Sequence, residues 1–243
     1  MALLKHFFRK KQAEFPFCSA IVPAAGSSTR MEGQDKLLLP LSGEAVIVHT
    51  LRALQNCPMI AEIIVVTRED LLLPIGDLCK AYGLDRVTKI IVGGETRAQS
   101  VRMGTLEASA KAELIAIHDG ARPLVTSAVI EETILRAIQC HAAAPAVPVK
   151  DTVKRMKDGA VVETLLREEL RAVQTPQVFE ASLIKAALDK ALADGAALTD
   201  DCAAVERLGM PVMLTAGDDT NLKITTPADL VIAEGILAWR TEQ

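Results

Sequence analysis

The sequence predicts an α/β fold: a mostly parallel, doubly wound sheet with helices on both faces and a projecting β-hairpin arm. Three observations carry this. Short β-branched runs alternate with amphipathic stretches from Ala20 to Val149, as strands buried on both faces alternate with crossover helices. Half of the residues are hydrophobic but only 3% are aromatic, so Val, Ile, Leu and Ala must fill the core, which suits helices packed on a parallel sheet. The alternation then breaks between Lys150 and Gln174, where two β-like runs flank Lys157-Asp158-Gly159, and Asp-Gly in that setting signals a hairpin.

In chain order, Ala20-Ile21-Val22 is the first strand and opens into a loop of small residues and cations, Ala24 to Lys36. Glu44 to Gln55 is apolar at 47, 48, 51 and 54, the spacing of a helix. Glu62 to Thr67 is a continuous β-branched run and reads as a strand buried on both faces. Leu71 to Tyr82 is helical with an irregular start at Pro74, and Val87 to Val92 is a strand. Thr96 to Ala108 is a helix, Glu113 to His118 a strand, Ser127 to His141 a helix and Ala144 to Val149 a strand. The arm at about 150–174 carries Val153, Val161, Val162, Leu165 and Leu166, an apolar surface that needs a cover, and a second subunit would supply one. Helices follow at Glu180 to Ala193 and Thr199 to Leu208, the second with Thr199 as N-cap and Asp200 and Asp201 in its first turn. Pro211 to Leu214 is a last strand, and Thr226-Pro227 opens a closing helix that runs to Trp239.

With no repeat or linker, residues 18–243 read as a single domain after an N-terminal extension, 1–17. The first 14 residues are basic with two Phe and no apolar signal region follows them, so they read as an extension outside the core, with a targeting segment as the alternative. A formal net charge of −4 gives no reason to expect binding to nucleic acid or an anionic membrane, so local cations must hold any anionic ligand. Five scattered cysteines without C-x-x-C spacing suit small core residues in a reducing, cytoplasmic setting.

In an open parallel sheet, ligands bind beyond the carboxyl ends of the strands. Four informative segments fall there. Ala24 to Lys36 combines Ala24, Ala25, Gly26, Ser27 and Ser28 with Arg30 and Lys36. Small residues let backbone N–H groups approach an anion, and cations can meet charge that develops during a reaction. The loop matches neither G-x-x-x-x-G-K-[ST] nor G-x-G-x-x-G, and the same residues also suit a plain turn between a strand and a helix. The third strand leads into Gly93-Gly94-Glu95, after which Arg97 and Ser100 share a helix face. The fourth leads into His118-Asp119-Gly120-Ala121-Arg122, and the last into Gly217 to Lys223. His118 reads as a strand-end packing residue. A lone Asp119 beside cation-rich loops suits a Mg²⁺-nucleotide complex better than a nucleophilic or zinc-centred reaction.

Seven segments, PAAGSSTRM, VGGETRAQSV, HDGARP, PVKDTVKR, QTPQVF, LTDD and TNLKITTPADL, resemble in order and spacing the 2-C-methyl-D-erythritol 4-phosphate cytidylyltransferases of the non-mevalonate isoprenoid pathway. The similarity runs from about Ala20 to the end of the closing helix. It implies a Rossmann-like nucleotidyltransferase fold, a homodimer built through the arm, and the reaction of CTP with methylerythritol phosphate to give the CDP-alcohol and pyrophosphate. Three places depart from the common pattern. Leu37-Leu38 follow the loop lysine in place of a Gln and an aromatic, Glu95 replaces an Asp, and Thr220 precedes Asn221 where some relatives have Asp.

The resemblance also implies roles. Backbone groups of Ala24, Ala25, Gly26 and Ser27 would cradle the CTP phosphates, Gly94, Glu95 and Ser100 would read the cytosine, and Asp119 beside Gly120 would hold Mg²⁺. Arg30 and Lys36 would stabilise the transition state. Arg122, Thr199 and Lys223 of one subunit, with Thr152 and Arg167 from the other's arm, would hold the acceptor, and Arg167 and Lys223 would place its phosphate for attack. Two alternatives are a ribitol 5-phosphate cytidylyltransferase, which typically has AGG in place of Ala24-Ala25-Gly26, and a non-catalytic nucleotide-binding protein, which would have lost Arg30, Lys36 or Asp119.

Overall fold

A computed structural model describes residues 15–26 and 35–242. The N-terminal 14 residues, Ser27 and Arg30 therefore lie outside the described residues. The first strand, β1 (Cys18–Pro23), is followed by a two-residue hairpin, β2 (Pro40–Leu41) with β3 (Glu44–Ala45), and by helix α1 (Val46–Asn56). The hairpin was not expected from the sequence. Its Ser42-Gly43 turn has φ of 49° and 85°, the mirror-image turn that two-residue hairpins favour. Because Glu44 and Ala45 pair with Leu41 and Pro40, the helix starts two residues later than its apolar spacing suggests.

Next come β4 (Ile60–Thr67), a 3₁₀ turn at Glu69–Leu71, α2 (Leu72–Ala81), β5 (Val87–Val92), α3 (Arg97–Glu107), β6 (Leu114–Ile117), α4 (Ser127–Cys140) and β7 (Ala142–Pro148). The arm is β8 (Lys154–Lys157) paired antiparallel with β9 (Ala160–Thr164), turning at Asp158 and Gly159 with φ of 51° and 81°. Two strands that the sequence reading lacked follow, β10 (Arg171–Val173) and β11 (Gln177–Glu180). Then come α5 (Ala181–Ala193), α6 (Cys202–Glu206), β12 (Met213–Ala216) and α7 (Pro227–Thr241).

The main sheet runs β10-β7-β11-β6-β1-β4-β5, with β12 also paired to β7. β1, β4, β5 and β6 are mutually parallel, whereas β10 and β11 run antiparallel to their neighbours. Alternate residues of β1 enter opposite cores. Ala20 and Val22 pack with α1, α4 and α7, while Ile21 packs with α3, α5 and α6. That is the period-two consequence of a strand covered on both sides. β1 lies between β4 and β6, so strand order reverses there, and the carboxyl ends of β1, β4, β5 and β6 open onto one crevice. No helix among the described residues is long and apolar enough to cross a membrane. The arm stands clear of this body, with Met156, Val161, Val162 and Leu166 each more than half exposed.

Candidate active site

The crevice is a cavity of about 340 Å³ walled by the segments after β1, β5 and β6 together with Lys36, Leu37 and Lys223. β4 holds the first wall in place. Ala24 N donates to Val66 O at 2.7 Å, and the Thr67 hydroxyl donates to Ala24 O at 3.1 Å. The second wall is a glycine turn against a capped helix. Thr96 and Gln99 form a reciprocal capping box at the start of α3, and the Ser100 hydroxyl accepts from Gly94 N at 3.1 Å while bonding back to Thr96 O at 3.0 Å. A Cβ on Gly93 would lie 2.5 Å from Ser100 Oγ, and one on Gly94 2.5 Å from Gln99 Cβ, so only glycine lets the turn close on the helix.

The third wall carries the charge. Asp119 is nearly buried, and its carboxylate meets Lys223 Nζ at 2.9 Å, Arg97 Nη2 at 3.4 Å and Arg122 Nε at 3.4 Å. Burial alone would raise its pKa, but Lys223, Arg97 and Arg122 overcome that and hold it well below the usual carboxylate range. Arg97 Nη2 also bonds Asp201 at 2.7 Å, and Asp201 is buried. Burial pushes the Asp201 carboxyl up, against the pull of Arg97. Arg122 is anchored a second time, donating to Asn221 O at 2.7 Å.

His118 locks the same segment from behind. Burial pushes its pKa down to about 4, so the ring is neutral at pH 7. Its Nε2 lies 3.2 Å from Arg122 O, which can only accept, so Nε2 carries the proton and Nδ1 accepts from the Thr175 hydroxyl at 3.0 Å. That hydroxyl oxygen in turn accepts from Asp119 N at 3.1 Å. Asn221 Nδ2 donates to Thr175 O at 3.0 Å and closes the network.

A family model described as 2-C-methyl-D-erythritol 4-phosphate cytidylyltransferase matches residues 18–239. The chain belongs to that family. Proteins of the same name from Halalkalibacterium halodurans and Dehalococcoides mccartyi are 42% and 45% identical to it, over 90% of this chain and 96% and 95% of theirs. Among solved structures, the 4-diphosphocytidyl-2C-methyl-D-erythritol synthase of Anaerococcus prevotii superposes with a TM-score of 0.82 at 32% identity, covering 91% of this chain and 96% of that one. The 2-C-methyl-D-erythritol 4-phosphate cytidylyltransferase of Thermus thermophilus gives 0.75 at 32% identity, over 90% and 98%.

Within the cytidylyltransferase fold, Ala24, Ala25, Gly26, Lys36, Gly94, Glu95, Ser100, Asp119, Gly120 and Lys223 all line the one cavity. Arg122 stands behind Asp119 and is not part of the wall. Thr152 and Arg167 sit exposed on the arm, where Arg167 donates to Lys150 O at 3.0 Å, and Thr199 is exposed outside the lining residues. Thr199 also does not cap a helix. α6 begins at Cys202, and Asp200 Oδ1 takes the amide of Ala203 in its place. The sequence reading assigned no site role to Asp201, Thr175 or Asn221. Only their presence inside motifs marked them, because their partners are remote in sequence.

No group of three or more His, Cys, Asp or Glu able to hold a metal occurs among the described residues. An ionised single carboxylate beside a small-residue loop is nonetheless the donor set that suits Mg²⁺, which takes one or two carboxylates together with substrate phosphates and water.

Proposed function

We propose that this chain transfers the cytidylyl group of CTP to 2-C-methyl-D-erythritol 4-phosphate, giving 4-diphosphocytidyl-2-C-methyl-D-erythritol and pyrophosphate. One observation carries the reading beyond family membership: Asp119, Lys223, Lys36 and the small-residue turn of Ala24 to Gly26 meet in a single cavity at the switch point of the sheet. An acceptor phosphate oxygen bonds to the α-phosphorus as the α–β bridging bond breaks and pyrophosphate leaves. The acceptor oxygen is already anionic, so no side-chain base is needed, and the obstacle is the meeting of two negative charges.

Amides from Ala25 to Ser27 would hold the triphosphate, the expected Ala24 amide being already donated to Val66 O at 2.7 Å, with Arg30 and Lys36 meeting the charge that builds at phosphorus. Ser100 and the Gly93 to Glu95 turn would read the cytosine edge in a space too small for a purine. Asp119 would hold Mg²⁺, which supplies charge neutralisation between the phosphates. Lys223 and Arg122 would bind the acceptor phosphate with Thr199, and the arm of a second subunit would add Thr152 and Arg167. Homodimerisation would also cover Val161, Val162 and Leu166, which are more than half exposed in the single chain. Five free cysteines suit a reducing compartment, and we place the enzyme in the cytoplasm.

The test is pyrophosphate release with CTP and Mg²⁺, with methylerythritol phosphate and ribitol 5-phosphate compared side by side. The expected result is a higher kcat/KM for methylerythritol phosphate. A higher value for ribitol 5-phosphate would overturn the acceptor, and equal use of ATP or GTP would overturn the nucleotide.

A further inference from the structure

We propose that Arg68 is a positioning residue for cytidylyl transfer: one guanidinium at the end of β4 ties together Gly26 and Asp35, and so sets the Ala24–Gly26 turn relative to Lys36. Nη1 donates to Gly26 O at 3.2 Å, and Nη2 lies 2.8 Å from Asp35 Oδ2. Asp70 aims the group, accepting from Nε and Nη2 at 3.1 Å each, a two-pronged contact that fixes the guanidinium plane. On the far side, Asp35 Oδ1 accepts from Leu37 N at 2.9 Å, so the residue held by Arg68 also holds the turn that carries Lys36. Asp35 Oδ2 is buried without a hydrogen-bond donor among the described residues, and the charge of Arg68 is what compensates it.

Val66 and Thr67, the two preceding residues, bind Ala24 by backbone and hydroxyl. Three successive positions, the last two of β4 and the residue after it, thus form one mount for the phosphate-binding turn. The inference rests on the cytidylyl-transfer reading, in which the amides of Ala25 and Gly26 and the Lys36 ammonium act on the same triphosphate. A reacting group displaced by about 1 Å can cost on the order of 10²-fold in rate. As a partly exposed ion pair, Arg68 with Asp70 contributes little to stability, roughly 0–1 kcal/mol or less. Arg68→Ala alone also leaves the buried Asp35 oxygen uncompensated, so rate and stability separate in the Arg68→Ala, Asp35→Asn variant, which strands no charge.

The experiment measures pyrophosphate release and thermal unfolding for the wild type, Arg68→Ala, Arg68→Lys, Asp35→Asn and the Arg68→Ala, Asp35→Asn double variant. Arg68→Ala is expected to lower kcat/KM by about 30–100-fold with a lowered unfolding midpoint, and the double variant to show the same loss of rate with the midpoint restored toward wild type. Lysine, a point charge, cannot bridge Gly26 and Asp35 at once and should recover only a small part of the loss. Millimolar guanidinium should rescue Arg68→Ala and leave wild type unchanged, a response that a merely structural role would not give. The double variant should be no worse than the poorer single one, because both break the same tie. Wild-type activity in Arg68→Ala, additive losses in the double variant, or an activity loss that follows unfolding would each overturn the proposal. An inactive wild type would instead overturn the functional reading, and the inference with it.

Discussion

His118 makes the stability of this fold depend on pH in a way that can be worked from its surroundings. Free imidazole titrates near 6.5, and burial pushes the His118 ring down to about 4. Between these values the unfolded chain takes up a proton that the folded chain refuses. Stability contributed by the neutral ring is therefore complete above the unfolded value and lost as pH falls through the window. At ~1.4 kcal/mol per pH unit the whole interval comes to roughly 3 kcal/mol, a sizeable share of a typical ~5–15 kcal/mol. Two neighbours titrate nearby. Asp119 is held below the usual carboxylate range, so its contribution is lost only beneath this window. Asp201 is raised by burial and gains its proton more readily in the fold, which opposes the loss from His118 as pH falls. A subtraction removes both. His118→Gln keeps an N–H for Arg122 O and cannot charge, so the assay is urea unfolding of wild type and variant from about pH 7.5 to about 4.5. The wild-type curve should fall by roughly 2–3 kcal/mol more than that of the variant over this range. Parallel curves would refute the neutral, buried ring and with it the hydrogen-bond directions assigned to Thr175 and the Asp119 amide.

Lys36→Ala should lower kcat by ~10²–10³ with a much smaller change in the KM for CTP, since its role is placed in the transition state; steady-state kinetics showing unchanged kcat and a raised KM would make it a ground-state binder. Asp119→Asn leaves Lys223, Arg97 and Arg122 facing an uncharged amide, and should cost up to ~3 kcal/mol in denaturant unfolding, less than a fully buried pair because Lys223 and Arg97 reach water. The same variant should need more Mg²⁺ for half-maximal rate, which a magnesium titration reads directly. Mixing Arg167→Ala with Arg30→Ala chains should restore part of the activity through heterodimers with one intact site; no recovery despite demonstrated subunit exchange would confine the arm's contacts to its own subunit.

The doubly wound body was legible because burial on both faces writes itself into composition. Ile63 to Val66 and Ile115 to Ile117 have no polar face to display, so their runs are continuous and their bounds hold within a few residues. β10 and β11 were not legible for the opposite reason. Arg171-Ala172-Val173 lies on the exposed side of the fold and is placed by pairing with Ala146 to Pro148, and Gln177 opens β11 with a side chain committed to Asp200 and the amides of Asp201 and Cys202. Nothing local marks either as a strand. α6 was overextended because Thr-Asp-Asp looks like a cap, whereas Asp201 turns inward to Arg97 and leaves capping to Asp200.

In the site, what could be read was the small-residue run Ala24 to Gly26 and the glycines at 93 and 94, which the backbone requires where Ser100 and Gln99 press on the chain. What could not be read was the partner of each charge. Asp119 answers to Lys223, Arg97 and Arg122, Arg97 to Asp201, Arg122 to Asn221, and the Asp119 amide to Thr175. These residues belong to five separate motifs, GGETR, HDGAR, QTP, LTDD and TNLK, none of which specifies a function alone. Folded together they are one hydrogen-bonded unit around a single carboxylate. A substitution in any of them alters either the charge balance at Asp119 or the hydrogen bonds that hold its segment in place, which is the physical reason their joint order and spacing carried information that no single segment did. The same logic explains why Arg68 escaped notice. Its contacts are to the Gly26 carbonyl, to Asp35 and to its near neighbour Asp70, so no motif records it, although it links the Ala24–Gly26 turn to the residue before Lys36.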